Sequence, residues 1–199
     1  MNKLKKIVNF FFEIGGLKRI QRAGWRNIGI KNPDSVAEHA FLTAQIAYIL
    51  GKMEKVNAER ATLIALFHDN GEARIGDANL VNKLYLEVDK AEGKAFLDQI
   101  EGLPGKEEIK KFYEEWQEQK IPESIVARDA DWLELAIEAK HYLDLGNERA
   151  ELWIKWYKTR FKTKSAKKLI ETIGKINIDD WWKEIPEIKK EVKKAEREK

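Results

Sequence analysis

Hydrophobic residues recur every three or four positions along most of the chain, which is the spacing of amphipathic helices. One face of a first helix carries Leu4, Ile7, Val8 and Phe11, and this helix should end near Gly15-Gly16. Further helices are predicted over about 35–51, 57–71, 87–101, 106–119 and 122–146, and two more segments follow at 147–163 and 165–174. A loop at 23–34, a turn with a short helix at 70–83 and a Trp-rich C-terminal segment complete the chain. The pattern therefore predicts an all-α fold.

Three of these helices have recognisable starts. Ser35 and Glu38 have the N-cap and N3 spacing of a capping box, in which each side chain satisfies a free backbone amide of the other residue. Asn57 is a good N-cap for the next helix, and Pro122 suits the first turn of a later one.

The length and composition indicate one folded domain. The chain has 199 residues, of which 43% are hydrophobic, too many for a disordered chain. We expect a domain over residues 1–185 and a charged tail over 186–199. The absence of cysteine excludes disulfides, thiolate metal sites and cysteine nucleophiles, and it favours a cytoplasmic location. No apolar run approaches the ~20 residues of a membrane helix, so no membrane partner is predicted.

The net charge of +3 belongs to the tail. Residues 189–199 hold six Lys or Arg and three Glu, so the rest of the chain is neutral. Nucleic-acid-binding proteins usually carry a basic body or stripe. We therefore interpret the tail as a solvated or frayed helix end and expect no nucleic-acid partner.

Two of the three histidines should point inward. His39 shares a helical face with Leu42, Ile46 and Ile49, and His68 continues an apolar stripe of the next helix. A single inward histidine is more often a hydrogen-bonded core residue than a ligand. Two of them, each next to a carboxylate, favour a site for Mn, Fe, Co, Ni or Zn ions.

A further carboxylate should come from the segment Ile125–Ala139, which is apolar on most sides except at Asp129, Asp131, Glu134 and Glu138. Buried carboxylates must be paired or metal-bound, because an isolated buried charge costs several kcal/mol. Spacing cannot choose between Asp129 and Asp131, since both have apolar neighbours on their own face. An ion pair with Arg128 or a nearby lysine is the alternative role.

Five segments, in order, resemble the motifs of the HD-domain metal-dependent phosphohydrolases, in particular their 5′-deoxynucleotidase and oxetanocin-like branch. These segments are Leu17–Arg22 with Arg26-Asn27, Ser35–His39, His68–Glu72, Gly76-Asp77 and Asp129–Asp131. The match spans roughly residues 15–145. Ala23 and Ala78-Asn79 depart from the usual pattern at positions that contact substrate.

The resemblance implies an HD-type helical bundle with metal ligands His39, His68, Asp69 and Asp131, of which Asp131 matches the motif better than Asp129 does. It implies one divalent ion per chain, of the Mn, Co, Ni or Fe type with Mg possible. Three other residues would act on the substrate: Glu72 on the attacking water, Arg22 on the phosphate and Asp77 on a sugar hydroxyl. From sequence alone Glu72 and Arg22 could equally be surface residues, and Asp77 could be the N-cap of a helix over 78–85.

The implied activity is removal of the 5′-phosphate from deoxyribonucleoside monophosphates by a metal-activated water, in a homo-oligomer. Two alternatives are an HD phosphohydrolase for nucleoside triphosphates or cyclic nucleotides, and a non-catalytic helical interaction module. In the module, late tryptophans such as Trp153, Trp156 and Trp181 would form a subunit interface, whereas in an enzyme Trp116 would form a wall of the base pocket. The remaining histidine, His141, is interpreted as structural.

Overall fold

The computed structural model describes residues 3–197, with side chains as far as Lys194, and within these bounds it contains helices and no strand. The α-helices, labelled α1 to α12 in chain order, are Lys3–Ile14, Val36–Glu54, Ala58–Phe67, Glu72–Ile75, Leu80–Tyr85, Val88–Ile100, Lys106–Glu118, Pro122–Asp144, Glu151–Lys158, Lys164–Ile173, Asp180–Lys183 and Pro186–Arg197. Short 3₁₀ helices cover Gly15–Arg19, Ala23–Ile28 and Glu148–Ala150. The all-α prediction is confirmed.

The helices α2, α3 and α8 pack against one another at the centre of the molecule. Small residues allow this close approach. A Cβ atom on Gly51 would lie 2.8 Å from the Cα of Ala58, so a larger residue there would force α2 and α3 apart. The remaining larger helices surround this core, with α7 on α3, α9 and α10 on α8, and α6 on α7.

The predicted start of α2 is confirmed, and the predicted loop before it is partly helical. Ser35 caps α2 and exchanges hydrogen bonds with Glu38, which completes the capping box. Residues 23–28, predicted as loop, form a 3₁₀ helix that ends at Gly29, whose φ of 87° requires the left-handed conformation that glycine adopts readily.

The buried face of α2 differs from the predicted one. Ile49 was expected beside His39 in the core, but 58% of Ile49 is exposed. The buried line follows Val36, His39, Thr43, Ala47 and Leu50 instead. The inward position of His39 is therefore confirmed, although Ile49 does not share its face.

The C-terminal part of the chain forms the short helix α11 and the charged helix α12. Most described side chains of α12 are exposed, as expected for a solvated helix, and Glu198 and Lys199 of the predicted tail lie outside the described residues. None of the helices in residues 3–197 is both long enough and apolar enough to cross a membrane.

Candidate metal centre

Backbone hydrogen bonds hold the segment before α2 against the start of that helix. The N–H of Arg22 donates to the Asp34 carbonyl (2.9 Å), and the N–H of Val36 donates to the Ile20 carbonyl (2.8 Å). This pairing fixes Arg22 next to the first turn of α2. His39 lies in the following turn, so the two residues meet at one end of the central helices.

His39 is fully buried and is oriented by Glu134 of α8. Its Nδ1–H donates to Glu134 Oε2 at 2.5 Å, which leaves Nε2 facing Asp131 Oδ1 at 3.3 Å and Asp69 Oδ2 at 3.6 Å. In the sequence, Glu134 is recognisable only as one of the carboxylates of a buried helix. Carboxylates that accept a hydrogen bond from a metal-binding histidine fix its tautomer, and Glu134 is placed to do this for His39.

His68 ends α3 and is oriented by the backbone. Its Nδ1–H donates to the Ala65 carbonyl at 2.6 Å, and its Nε2 lies 3.0 Å from Asp69 Oδ2. The ring of Trp116 packs against the imidazole, with 4.4 Å between ring centroids. Both ring nitrogens of His68 are therefore directed, one to the backbone and the other to the carboxylate cluster.

The four predicted ligands lie together. Ligand atoms of His39, His68 and Asp69 are all within 4.8 Å of one another, and Asp131 adjoins His39. Asp129 points elsewhere: its carboxylate accepts the backbone N–H groups of Lys162 (3.1 Å) and Thr163 (2.7 Å), just before α10.

The alternative ion pair between Arg128 and Asp131 is present, but it is long. Arg128 Nη1 lies 4.0 Å from Asp131 Oδ2. Burial raises the pKa of Asp131, yet the neighbouring histidines and Arg128 lower it below its usual value. The carboxylate is thus charged and still available to a cation.

Arg22 lies among carboxylates rather than on the surface, and only 13% of its side chain is exposed. Its Nη1 lies 2.9 Å from Asp77 Oδ1, 3.1 Å from Asp69 Oδ2 and 3.8 Å from Glu72 Oε2. Burial alone would lower the pKa of Arg22, but Asp77, Asp69 and Glu72 raise it well above its usual value.

Asp77 binds both the side chain of Arg22 and the backbone of the next residue, Ala23, and it does not cap a helix. One oxygen of Asp77 accepts from the Arg22 guanidinium, and the other accepts the N–H of Ala23. The helix that follows is capped by Asn79, which accepts the N–H groups of Val81 and Asn82.

Glu72 begins the short helix α4 and is buried next to Asp69. Its Oε2 has no hydrogen-bond partner among the described residues. Burial, and secondly the charge of Asp69, raise the pKa of Glu72 well above its usual value. Gly71 allows this packing, since a Cβ there would lie 2.6 Å from the carbonyl oxygen of Glu92.

These donors suit a divalent transition metal. Two imidazole nitrogens and two carboxylates form the mixed set that such ions bind. His39 Nε2 is buried and lacks a hydrogen bond of acceptable geometry within residues 3–197. Without a metal, burial and Arg22 lower the pKa of His39, but Glu134 and Asp131 raise it to about 10. A metal bound at Nε2 would therefore displace a proton.

The sequence matches the HD-domain family model over residues 14–174. The chain belongs to the HD-domain family. This HD domain is similar to the 5′-deoxynucleotidase HDDC2 of Danio rerio, with 30% identity over 152 residues, which cover 75% of this chain and 76% of the relative.

Two solved structures share the fold of this HD domain. A conserved hypothetical protein from Pyrococcus furiosus superposes with a TM-score of 0.72 and 30% identity, over 85% of this chain and 99% of that chain. The HD phosphohydrolase DatZ of cyanophage S-2L, bound to dA and one catalytic Zn²⁺ ion, superposes with a TM-score of 0.55 and 19% identity, over 83% of this chain and 96% of that chain. The likeness to DatZ shows a common fold.

Beside the candidate metal ligands, this HD domain has a cavity of about 300 Å³. Arg22, His68, Asp69, Glu72, Asp77 and Asp131 line one part of it. Other parts are lined by Trp116, Arg128, Trp132, Trp153, Trp156 and Arg160. Trp116 thus lies in the wall of this cavity, and its place beside a base stays a prediction. Trp153 and Trp156 also line the cavity, whereas Trp181 is 75% exposed.

Proposed function

We propose that this HD domain is a metal-dependent phosphohydrolase that removes the 5′-phosphate from deoxyribonucleoside monophosphates. The observation that carries the proposal is the cluster of two buried histidines and two aspartates next to Arg22, at the wall of a cavity. The similarity to 5′-deoxynucleotidases over three quarters of the chain supports the substrate class.

In this proposal His39, His68, Asp69 and Asp131 hold one divalent ion, with Mn, Co, Ni or Fe preferred and Mg possible. Such an ion supplies Lewis-acid chemistry, since it lowers the pKa of water and neutralises phosphate charge. Glu134 keeps His39 in the tautomer that can bind the ion, because it accepts the Nδ1–H.

Arg22 binds the phosphate group. All of its contacts with Asp69, Asp77 and Glu72 involve Nη1. A guanidinium has five N–H donors in a planar fork, so donors on Nη2 and Nε remain for phosphate oxygens. Asp77 fixes the guanidinium and, by family resemblance, also contacts a sugar hydroxyl.

Glu72 orients the attacking water and accepts its proton. Its carboxylate is buried beside Asp69 and Arg22, and its Oε2 has no hydrogen-bond partner among the described residues, so this oxygen can accept a hydrogen bond from water. As the water oxygen bonds to phosphorus, the bond from phosphorus to the 5′ oxygen breaks. The proton held by Glu72 is then available to the leaving 5′ oxygen, which gives nucleoside and inorganic phosphate.

We further propose that the protein is a cytoplasmic homo-oligomer that binds a small nucleotide and no nucleic acid. Apolar side chains exposed on α1 and α5 support self-association: Phe12 is 76%, Leu84 78% and Tyr85 81% exposed. Sedimentation of the full chain tests this part, and a monomer at micromolar concentration would contradict it.

The deciding experiment measures phosphate release from ribo- and deoxyribonucleoside mono-, di- and triphosphates with Mn, Co, Ni or Mg. We expect deoxyribonucleoside 5′-monophosphates to be cleaved fastest. Glu72→Ala should keep the metal and lose ~10²–10⁴ in turnover, the usual contribution of a general base. Glu151→Ala, which removes an exposed carboxylate of α9, serves as control.

Each other outcome identifies a different alternative. Fastest cleavage of triphosphates would favour a triphosphohydrolase, and no cleavage with any metal would favour a non-catalytic module. Full activity of Glu72→Ala would show that Glu72 is not the base.

A further inference from the structure

Four cationic side chains line the cavity, and one of them differs from the others. Arg22 contacts three carboxylates, Lys83 pairs with Asp89 at 3.1 Å, and Arg128 lies 4.0 Å from Asp131. For Arg160, by contrast, no ion pair or side-chain hydrogen bond is found within the described part of the chain. Its guanidinium donors are therefore available to a ligand.

The guanidinium of Arg160 is held flat against an aromatic ring. Its central carbon lies 3.7 Å from the centroid of the Trp156 ring. Such cation–π stacking uses the face of the guanidinium and leaves the N–H donors at its edge free. Arg160 is thus an exposed side chain at the cavity wall whose guanidinium rests on Trp156 and whose N–H donors are unused.

The aromatic wall beneath Arg160 is connected to the arginine segment proposed to bind phosphate. Trp156 packs on Trp153, with 6.3 Å between ring centroids. Trp153 in turn packs on Trp25 at 5.3 Å and lies so close to Gly24 that a Cβ there would be 3.4 Å from the indole. The α9 wall, which we define as Trp153, Trp156 and Arg160, is therefore anchored just after Arg22.

Flat rings and in-plane donors together suit a nucleobase. Bases stack on aromatic side chains and on arginine planes whatever their identity, whereas hydrogen bonds at the base edge distinguish them. Arginine carries donors only, so it matches base edges with adjacent acceptors. Guanine presents such an edge at N7 and O6, while adenine presents an amino donor next to N7.

We propose that the α9 wall binds the nucleobase of the substrate and that Arg160 makes the enzyme prefer guanine over adenine. This inference rests on the proposed nucleotidase function, with the phosphate at Arg22. The α9 wall then adds a specificity-determining residue at a distance from the reacting phosphate.

The test compares kcat and KM for the deoxynucleoside 5′-monophosphates of guanine, adenine, thymine and cytosine. The variants are Arg160→Ala, Arg160→Lys and, as matched control, Arg149→Ala, which removes an exposed arginine outside the cavity lining. Loss of a bidentate contact to guanine should raise KM for the guanine substrate about tenfold in Arg160→Ala. Turnover should stay unchanged, because the contact is the same in ground and transition states. The adenine substrate should change little.

Arg160→Lys keeps the charge but loses the planar fork, so it should also lose the preference for guanine. If Arg160→Ala weakens all four substrates equally, the residue acts on the phosphate or on general charge attraction, and the inference is wrong. Cleavage by the unaltered enzyme without any preference for guanine over adenine would overturn it as well, while leaving the proposed function intact.

Calorimetry with deoxyguanosine, which has no phosphate, separates the two proposals. If the unaltered chain cleaves no nucleotide but binds deoxyguanosine more tightly than Arg160→Ala does, the proposed function fails and the α9 wall stands. If the unaltered chain binds deoxyguanosine no better than the variant, the inference fails whatever the hydrolysis assay shows.

Discussion

The orientation of His39 depends on one hydrogen bond from a residue outside the recognised motifs. Glu134 accepts the Nδ1–H, so Nε2 is the ring nitrogen at which a metal can take the place of a proton. The motif Ser35–His39 contains no sign of this partner, which comes from α8, 95 residues later in the chain. Which nitrogen of His39 can bind a metal is therefore determined by tertiary packing.

Replacing Glu134 should weaken metal binding without removing a ligand. We expect Glu134→Ala to lower metal affinity ~10–100-fold, the usual effect of losing a partner of a metal-bound histidine. Glu134→Gln should lose less, because the amide oxygen can still accept the Nδ1–H. Metal titration by calorimetry measures both variants. Equal affinity in Glu134→Ala and the unaltered chain would contradict the role of Glu134.

At the scale of an element, the geometry of α8 gives its carboxylates different partners. Successive residues of a helix are ~100° apart, so Asp131 and Glu134 lie within ~60° of each other whereas Asp129 lies ~160° from Asp131. Asp131 and Glu134 both contact His39, and Asp129 faces the N-terminus of α10. Because α8 is buried on most sides, apolar neighbours surround both aspartates, and the hydrophobic pattern could not separate them.

Two matched substitutions on α8 test this division. Asp131→Asn should lose the metal, since an amide is a much poorer ligand for such an ion than a carboxylate. Asp129→Asn should keep the metal and lose ~1 kcal/mol or less of stability, because it weakens the hydrogen bonds that cap the start of α10. Elemental analysis and thermal melting distinguish them. Metal loss in Asp129→Asn with retention in Asp131→Asn would exchange their roles.

For the whole molecule, the sequence predicts what depends on local spacing and misses what depends on packing between distant segments. Helix positions follow from periodicity, and motif residues such as His68-Asp69 follow from short spacings. The α9 wall and Arg22 line the same cavity although Arg160 lies far along the chain from Arg22, so no local pattern could bring them together. The division into residues 1–185 and a tail stays a prediction, and the family match ends at residue 174.

Metal binding should couple to the stability of the whole domain, because its proposed ligands come from three segments that meet only in the folded state: α2, the end of α3 and α8. An ion at a hundredfold excess over its dissociation constant adds ~2.7 kcal/mol, which corresponds to a rise of about 5–10 °C in Tm for a chain of this size. His68→Ala should abolish this rise and lower the metal content.

His141→Ala is the matched control for that measurement. His141 is an exposed histidine of α8, and it is not part of the cluster formed by His39, His68 and Asp69. Its removal should leave both the metal content and the rise in Tm unchanged. If His68→Ala binds metal with the stoichiometry of the unaltered chain, or if His141→Ala loses the ion instead, the ligand set proposed for this domain is wrong.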